Sequence, residues 1–416
     1  MTFNTAMPAA HSVRAPRERI AYLDAARALA IIGMFLAHIA IFAPLPASLE
    51  FLVSGRSAIM FAVLAGISTT LIARSHAATE HQRLGYINAS GSRDLLIRAI
   101  ILFLIGITLP LISVGSIVIL STYAVLFLLA IPLLRLSTRV IAILTALTAV
   151  ITPLLSFWLR TIWPDTSEEM VIGGVPTIFS FTSVPDTVQA LRQLLFDGMY
   201  PVLTWIPFLL AGIVIGRLIL DSAFTSRLAA IWGAALAIVG YGISFLLVTF
   251  TNYLSERISV FRGMDPSLAE ATDDQLMEQF GTIAYSDFGV TSINDPRSLI
   301  FASSHSGSIT EIIGGIGFVL LVLALLSLIE RFAAPVLAPF STLGKMPLTY
   351  YVGHIIGFLV LAIFGSGQIS IWLALVYFIV LPMAFAAIWF RLFRRGPLEA
   401  LIHGATKLAA PKKPKS

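Results

Sequence analysis

Asp24, Arg27 and His38 stand within one long hydrophobic stretch, RIAYLDAARALAIIGMFLAHIAIF, residues 19–42. Ionisable side chains at membrane depth are costly and by default mark a functional site. At ~100° per residue, Arg27 and His38 lie roughly 20° apart around a helix, and Asp24 lies about 60° from Arg27. The three groups therefore form one stripe. Asp24 and Arg27 sit one turn apart and can pair. His38 stands about 16 Å further along the axis. Such a stripe must face a protein interior or a wet cavity, because lipid does not tolerate it.

Three further stretches carry polar groups. Arg56 opens the next apolar run, SGRSAIMFAVLAGIS, and follows His38 after a short loop, so the two are expected to be close. His305 lies in FASSHSGSITEIIGG, where Ser308 and Glu311 form a capping-box pattern that gives Glu311 a structural role. His354 lies in STLGKMPLTYYVGHIIGF, with Tyr350 one turn below it and Lys345 at the start. Pro347 near the first turn, with Lys345 beside it, makes that helix start an expected anion site. The bland explanation of His354 is a Tyr–His pair that holds helices together. The sequence has no serine-hydrolase elbow, P-loop, dinucleotide fingerprint or His-x-x-x-His pair. The histidines are scattered over separate spans, so no metal site is expected.

The elements that must position these groups are membrane helices. The chain has 416 residues, 57% hydrophobic and 12% charged, against about 25% charged in soluble domains. Mean hydropathy is +0.91. These values indicate an all-α, polytopic membrane bundle. The net charge of +5 does not point to nucleic acid, because the basic residues sit at span ends. Cysteine is absent, which excludes disulfides, thiolate metal sites and a thiol nucleophile. A covalent intermediate would need histidine, a hydroxyl or a carboxylate.

Apolar runs of about 20 residues predict ten spans: 21–43, 56–74, 96–113, 115–134, 139–159, 200–219, 228–250, 308–330, 346–365 and 369–392. With the N-terminus inside, twenty lysines and arginines fall in inner segments and five in outer ones. That asymmetry places both termini in the cytoplasm, across a plasma membrane. The expected organisation is a tail over 1–18, one membrane domain over 19–395, and a basic tail over 396–416 that lies near anionic lipid. The first run is too long for a signal-peptide core and is retained. Two outer loops, 160–199 and 251–307, are too long for simple connectors. The first holds SVPDTVQALRQLLFDG, an amphipathic helix capped at Ser183 and Asp186. The second holds a short helix near DDQLMEQF. Both are read as spacers or as covers over an outward-facing site.

RIAYLDAARALA, with a histidine eleven residues after its arginine, resembles the first span of transmembrane acyltransferases of the acyltransferase-3 type, in which that arginine and histidine are functional. SGRSAIMFAVLAGIS, DGMYPVLTWIPFLLAGIVIGR, SSHSGSITEIIGGIG, LGKMPLTYYVGHI and FRRGPLEALI resemble the YeiB-like membrane proteins related to heparan-alpha-glucosaminide N-acetyltransferase. The resemblance implies an acyl-CoA donor, such as acetyl-CoA, in the cytoplasm and a glycan or glycolipid acceptor outside. It implies donor binding by Asp24, Arg27, Lys345, Tyr350 and His354. His38 would act as general base or be transiently acylated, because histidine titrates near neutrality. Arg56 or His305 would stabilise the oxyanion. The implied partners are acyl-CoA, the acceptor and the bilayer, with a homodimer left open. A transporter or flippase is the rival reading, in which the same charges line a substrate or proton path. A scaffold role is the third.

Overall fold

Long apolar segments satisfy their own backbone inside a bilayer by becoming helices, and helices dominate the chain. The computed structural model describes residues 19–39, 45–75, 86–163, 174–264, 268–364 and 370–410. The expected tail over 1–18 and most of the APKKPKS tail lie outside these residues. The helices run in order as α1 (Ala21–Ile39), α2 (Ala47–Val53), α3 (Arg56–Ser75), α4 (Ala89–Thr108), α5 (Leu120–Leu133) and α6 (Thr138–Ile162). They continue as α7 (Val184–Arg192), α8 (Val202–Leu220), α9 (Ser226–Phe250), α10 (Tyr253–Met264) and α11 (Asp273–Ala284). The last are α12 (Ile309–Leu343), α13 (Pro347–Phe364), α14 (Ile371–Leu375), α15 (Leu381–Leu392) and α16 (Pro397–Leu408). Among the described residues, the only β pairing is an isolated parallel bridge between Ser286 and Ser304.

Nine helical segments among the described residues are long and apolar enough to span a bilayer, and α5 is a shorter apolar helix. The span expected over 115–134 starts only at Leu120. Gly115 adopts a left-handed φ of 68° and the Ser113 hydroxyl bonds to Ser116, so a tight turn occupies the start of that run. The span expected over 308–330 instead continues to Leu343. It kinks at Ala333, and Pro335 removes a donor just beyond.

α1 lies at the centre. Ala25, Ala26, Ala28, Ala30, Ile31 and Phe35 are all fully buried, and the four alanines let neighbours approach. α3 and α8 cross where a methyl on Gly66 would stand 2.3 Å from the Leu209 carbonyl, and one on Gly212 would stand 2.1 Å from that of Val63. By contrast α6, α9 and α15 turn Trp158, Trp232, Phe250 and Leu392 outward, as lipid-facing helices do.

Two ends can be told apart by contacts. At one, Gly344 meets the Asp24 main chain, the Ala21 N–H donates to Glu330, and Arg217 donates to Leu134 and Leu136 at the end of α5. At the other, Gly55 meets Ser304 and His305, and Gly289 meets Gly198. These are called the Arg27 end and the His305 end.

The helices read in the two long loops both form. Ser183 caps α7, and α11 covers DDQLMEQF. Val188 and Leu191 on α7 are exposed, whereas Leu194 is buried. The segment after residue 395, expected as a tail, instead begins with α16. Pro397 starts that helix, and buried Ile402 and Thr406 hold it against the bundle.

Candidate functional site

At the Arg27 end, the first turns of α1 bring Asp24 and Arg27 together. Arg27 Nη1 donates to Asp24 Oδ1 over 2.5 Å, and Nη2 donates to Ser68 Oγ on α3 over 3.1 Å. Arg19 adds a longer contact of 3.7 Å to Asp24. Arg27 faces a cavity of about 150 Å³ between α1, α3, α4, α5, α13 and α16. Arg98 and Glu399 are its other charged lining groups, and Phe61, Tyr123 and Phe127 form an aromatic wall. In the sequence Arg98 counted only as inner positive charge. Yet it is the tenth residue of α4, so the rule that singled out Arg27 also applies to it. Its Nε is buried without a hydrogen-bond partner among the described residues.

The helix start expected to hold an anion already holds one. Glu399 Oε1 accepts from the N–H groups of Leu348 (2.7 Å) and Thr349 (3.2 Å), and Oε2 accepts from the Thr349 hydroxyl over 2.6 Å. A carboxylate of α16 thus fills the first turn of α13. Lys345 lies beside α15, with Nζ 5.7 Å from the Phe390 ring centroid, and is not on the cavity wall.

Deeper along α1, the His38 ring stacks on the His354 ring, with centroids 5.8 Å apart and planes 1° from parallel. The pairing follows from register. Gly344 touches the Asp24 main chain. From that fixed point, His354 lies about 15 Å along its helix and His38 about 21 Å along α1. His354 was expected with Lys345 and Tyr350 in a donor group; the structure places it opposite His38. Tyr350 points away, its hydroxyl donating to the Phe378 carbonyl over 2.7 Å. Its neighbour Tyr351 packs edge-on to His354 at 5.0 Å and stacks on Phe61 at 6.1 Å. Tyr351 therefore stands between the cavity and the histidine pair.

At the His305 end, a turn over 301–308 precedes α12. His305 has a φ of 61°, rare for a non-glycine residue. Glu311 holds the turn, accepting from the His305 N–H (2.7 Å), the Ser306 hydroxyl (3.1 Å) and the Gly307 N–H (2.7 Å). The segment 285–289 lies across it: Asp287 N–H donates to Ser304 and Gly289 N–H to His305. The ring of Tyr200 packs edge-on to that of His305 at 5.7 Å. Burial, followed by the nearby His38 and Arg56 charges, pushes the His305 imidazole down to about 4. His38 Nδ1, His305 Nδ1 and both ring nitrogens of His354 are buried without a hydrogen-bond partner among the described residues. Polar atoms in that state call for an explanation.

Arg56 begins α3 beneath a second cavity of about 390 Å³, which also reaches Ser304, the neighbour of His305. Its guanidinium is clamped between Phe51 (3.6 Å) and Tyr241 (4.7 Å), and Nη1 donates to the Phe51 carbonyl over 2.6 Å. The turn before it needs Gly55, whose φ is 71° and where an added methyl would crowd Ser304, His305 and Glu311. Thus Asp24 and Arg27 meet at one end, His38 and His354 stack further along, and Arg56 lies near His305 at the other end. Tyr350 falls outside the three groups, whereas Lys345, off the cavity wall, is within electrostatic reach of Asp24. Arg98, Tyr123, Tyr200 and Tyr351 join the three groups. Among the described residues, no group of three His, Asp or Glu side chains is arranged to hold a metal ion.

Comparison with known proteins matches two parts of the chain. A family model described as "Protein of unknown function (DUF418)", the YeiB-like type, matches residues 280–409, which include His305, Lys345, Tyr350 and His354. A search of curated proteins gives no match. A model described as "Heparan-alpha-glucosaminide N-acetyltransferase, catalytic" matches residues 19–248, more than half of the chain, including Asp24, Arg27, His38 and Arg56. This multi-pass helical membrane protein therefore belongs to the heparan-alpha-glucosaminide N-acetyltransferase catalytic family.

Proposed function

We propose that the protein is a plasma-membrane acyltransferase that moves an acetyl group from acetyl-CoA at the Arg27 end, in the cytoplasm, to a sugar-type acceptor at the His305 end. The observation that carries this reading is the stacked His38–His354 pair: Tyr351 connects it to Phe61 on the wall of the Arg27 cavity, and His38 is within electrostatic reach of His305.

The cavity at the Arg27 end is smaller than the roughly 300–1,000 Å³ typical of small-molecule pockets. It suits a slender chain rather than a whole nucleotide. A phosphopantetheine arm fits that description, its amides and phosphate facing Arg27 and Arg98 while its methylenes pass Phe61 and Tyr123. Both guanidiniums are multidentate donors suited to phosphate oxygens. The Tyr351 ring must turn aside for the thioester to reach His38.

His38 then acts as general base. It takes the proton of an acceptor hydroxyl or amine as that atom bonds to the thioester carbonyl carbon. The carbon–sulfur bond breaks, and the thiolate leaves and regains the proton from His38. His305 stabilises the oxyanion with its partner-free Nδ1. Arg56 faces the larger cavity and serves the acceptor. An imidazole suits this work because its ordinary titration range lies near neutrality.

The protein has no cysteine, so a thiol reagent detects only released CoA. With wild-type protein in nanodiscs made from native membrane lipid, acetyl-CoA should release thiol, and His38→Ala should slow release by about 10²–10⁴-fold. Equal rates with and without His38, or no release by the wild type, would overturn the proposal and favour transport.

A further inference from the structure

The cavity beside Arg56 has two kinds of wall. One side is aromatic and faces outward: Phe51 is 52% exposed and Phe245 is 67% exposed. Leu246 and Phe250, also exposed, continue that surface along α9, one of the candidate spans. The other side is polar and closed in. Arg56 is 6% exposed, and its Nε is buried without a hydrogen-bond partner among the described residues. Ser54, Ser286 and Ser304 lie around it. The 285–289 segment borders the cavity through Tyr285 and Ser286, and is fixed to Ser304 and His305 by main-chain hydrogen bonds and to α10 by the Arg257–Asp287 ion pair at 2.7 Å. The flank of the cavity is lined by exposed rings that a bilayer would cover.

We infer that this cavity is the acceptor subsite and that its ligand is a lipid-anchored sugar, which enters sideways from the membrane. The chain of the ligand lies along Phe51 and Phe245. Its hydroxyl-rich head reaches Arg56 and the serines, with the Tyr241 and Tyr285 rings against the apolar face of the sugar. Ser304 then carries the head to the edge of His305. The inference rests on the acyl-transfer reading for the direction of chemistry, but the binding it describes is separable from it.

The probe is a diazirine-bearing decyl glucoside, photocrosslinked to wild-type protein in nanodiscs and mapped by mass spectrometry. Labelling should concentrate on Phe51, Phe245 and Tyr285. Excess octyl glucoside should compete, and methyl glucoside, which has the same head without a chain, should not. Val248→Trp, which fills the cavity, should cut labelling at least tenfold. Phe245→Ala, a milder change on an exposed ring, should cut it less. Both variants should bind acetyl-CoA as the wild type does, which separates loss of the subsite from misfolding. Labelling spread over all lipid-facing helices, labelling unchanged by Val248→Trp, or equal competition by methyl glucoside would overturn the inference. Failure of the wild type to bind acetyl-CoA, with labelling intact, would remove the acyl-transfer reading and leave the lipid-anchored ligand standing.

Discussion

The His38 and His354 rings lie face to face, 5.8 Å between centroids, on helices from opposite ends of the chain. Neither histidine has a carboxylate to orient it among the described ion pairs. Packing does that work instead: Phe358 stands edge-on to both rings and Tyr351 edge-on to His354. The pair therefore holds unpaired nitrogen atoms in a fixed place, as a proton-accepting centre requires.

If His38 is the base and His354 fixes its ring, the two variants should differ. His38→Ala should lower turnover by about 10²–10⁴-fold and leave donor affinity unchanged. His354→Phe keeps a flat ring for stacking and should retain most activity. Thiol release together with calorimetry separates these effects. Equal losses in both variants would mean that the second imidazole takes part in the chemistry.

His305 gives the protein a pH dependence. Burial, with His38 and Arg56 nearby, brings its imidazole from the ordinary 6.5 down to about 4, while Glu311 holds its main-chain N–H. A folded-state value below the unfolded one means that folding favours the neutral ring. Its contribution is full above the unfolded value and is lost as pH falls toward 4. His305→Asn accepts the left-handed backbone and removes this titration. Its thermal midpoint should fall less than that of the wild type between about pH 7 and about pH 4.5. Parallel curves would contradict the assignment.

Glu399 tests how α16 holds α13. Glu399→Ala leaves two main-chain donors and the Thr349 hydroxyl without their acceptor. The expected cost is about 1–2 kcal/mol, by analogy with loss of a helix cap. Glu399→Gln keeps an acceptor and should recover part of it. Thermal denaturation in detergent reads both.

Arg217 is 1% exposed and donates to the carbonyls of Leu134 (3.0 Å) and Leu136 (2.8 Å), at the end of α5. Its guanidinium also lies 4.6 Å from the Tyr86 ring centroid. Arg217→Ala should destabilise the protein by about 1–3 kcal/mol, because the buried Leu134 carbonyl and the half-buried Leu136 carbonyl lose a charged donor. Arg217→Lys should rescue little, since a single ammonium cannot reproduce the planar fork. Full rescue by lysine, measured by thermal denaturation, would contradict this.

The bundle was legible in the sequence because lipid enforces it. Apolar runs of bilayer length have few other structures open to them. Asp24, Arg27 and His38 stood out for the same reason. What could not be read was register between distant helices. His354 meets His38 only because Gly344 fixes α12 and α13 against Asp24, and no pattern within one helix encodes that. Tyr350 and Tyr351 differ by ~100° of helical rotation, so the choice of ring facing the histidines depended on knowing where α1 lies. Arg98 is legible on the same grounds as Arg27, since it lies within an apolar helix. Glu399 stood in a segment whose basic end disguised a docked helix. The late start of α5 was signalled by SVGS, a turn sequence inside an apolar run.

The most direct test of this mechanism is calorimetric titration of purified protein with acetyl-CoA, beside Arg27→Ala, Arg98→Ala and His38→Ala. The wild type should bind saturably. Arg27→Ala and Arg98→Ala should each weaken binding at least tenfold, about 1.4 kcal/mol, and His38→Ala should leave it largely intact. Wild-type protein that binds neither acetyl-CoA nor longer acyl donors would contradict the mechanism at its root.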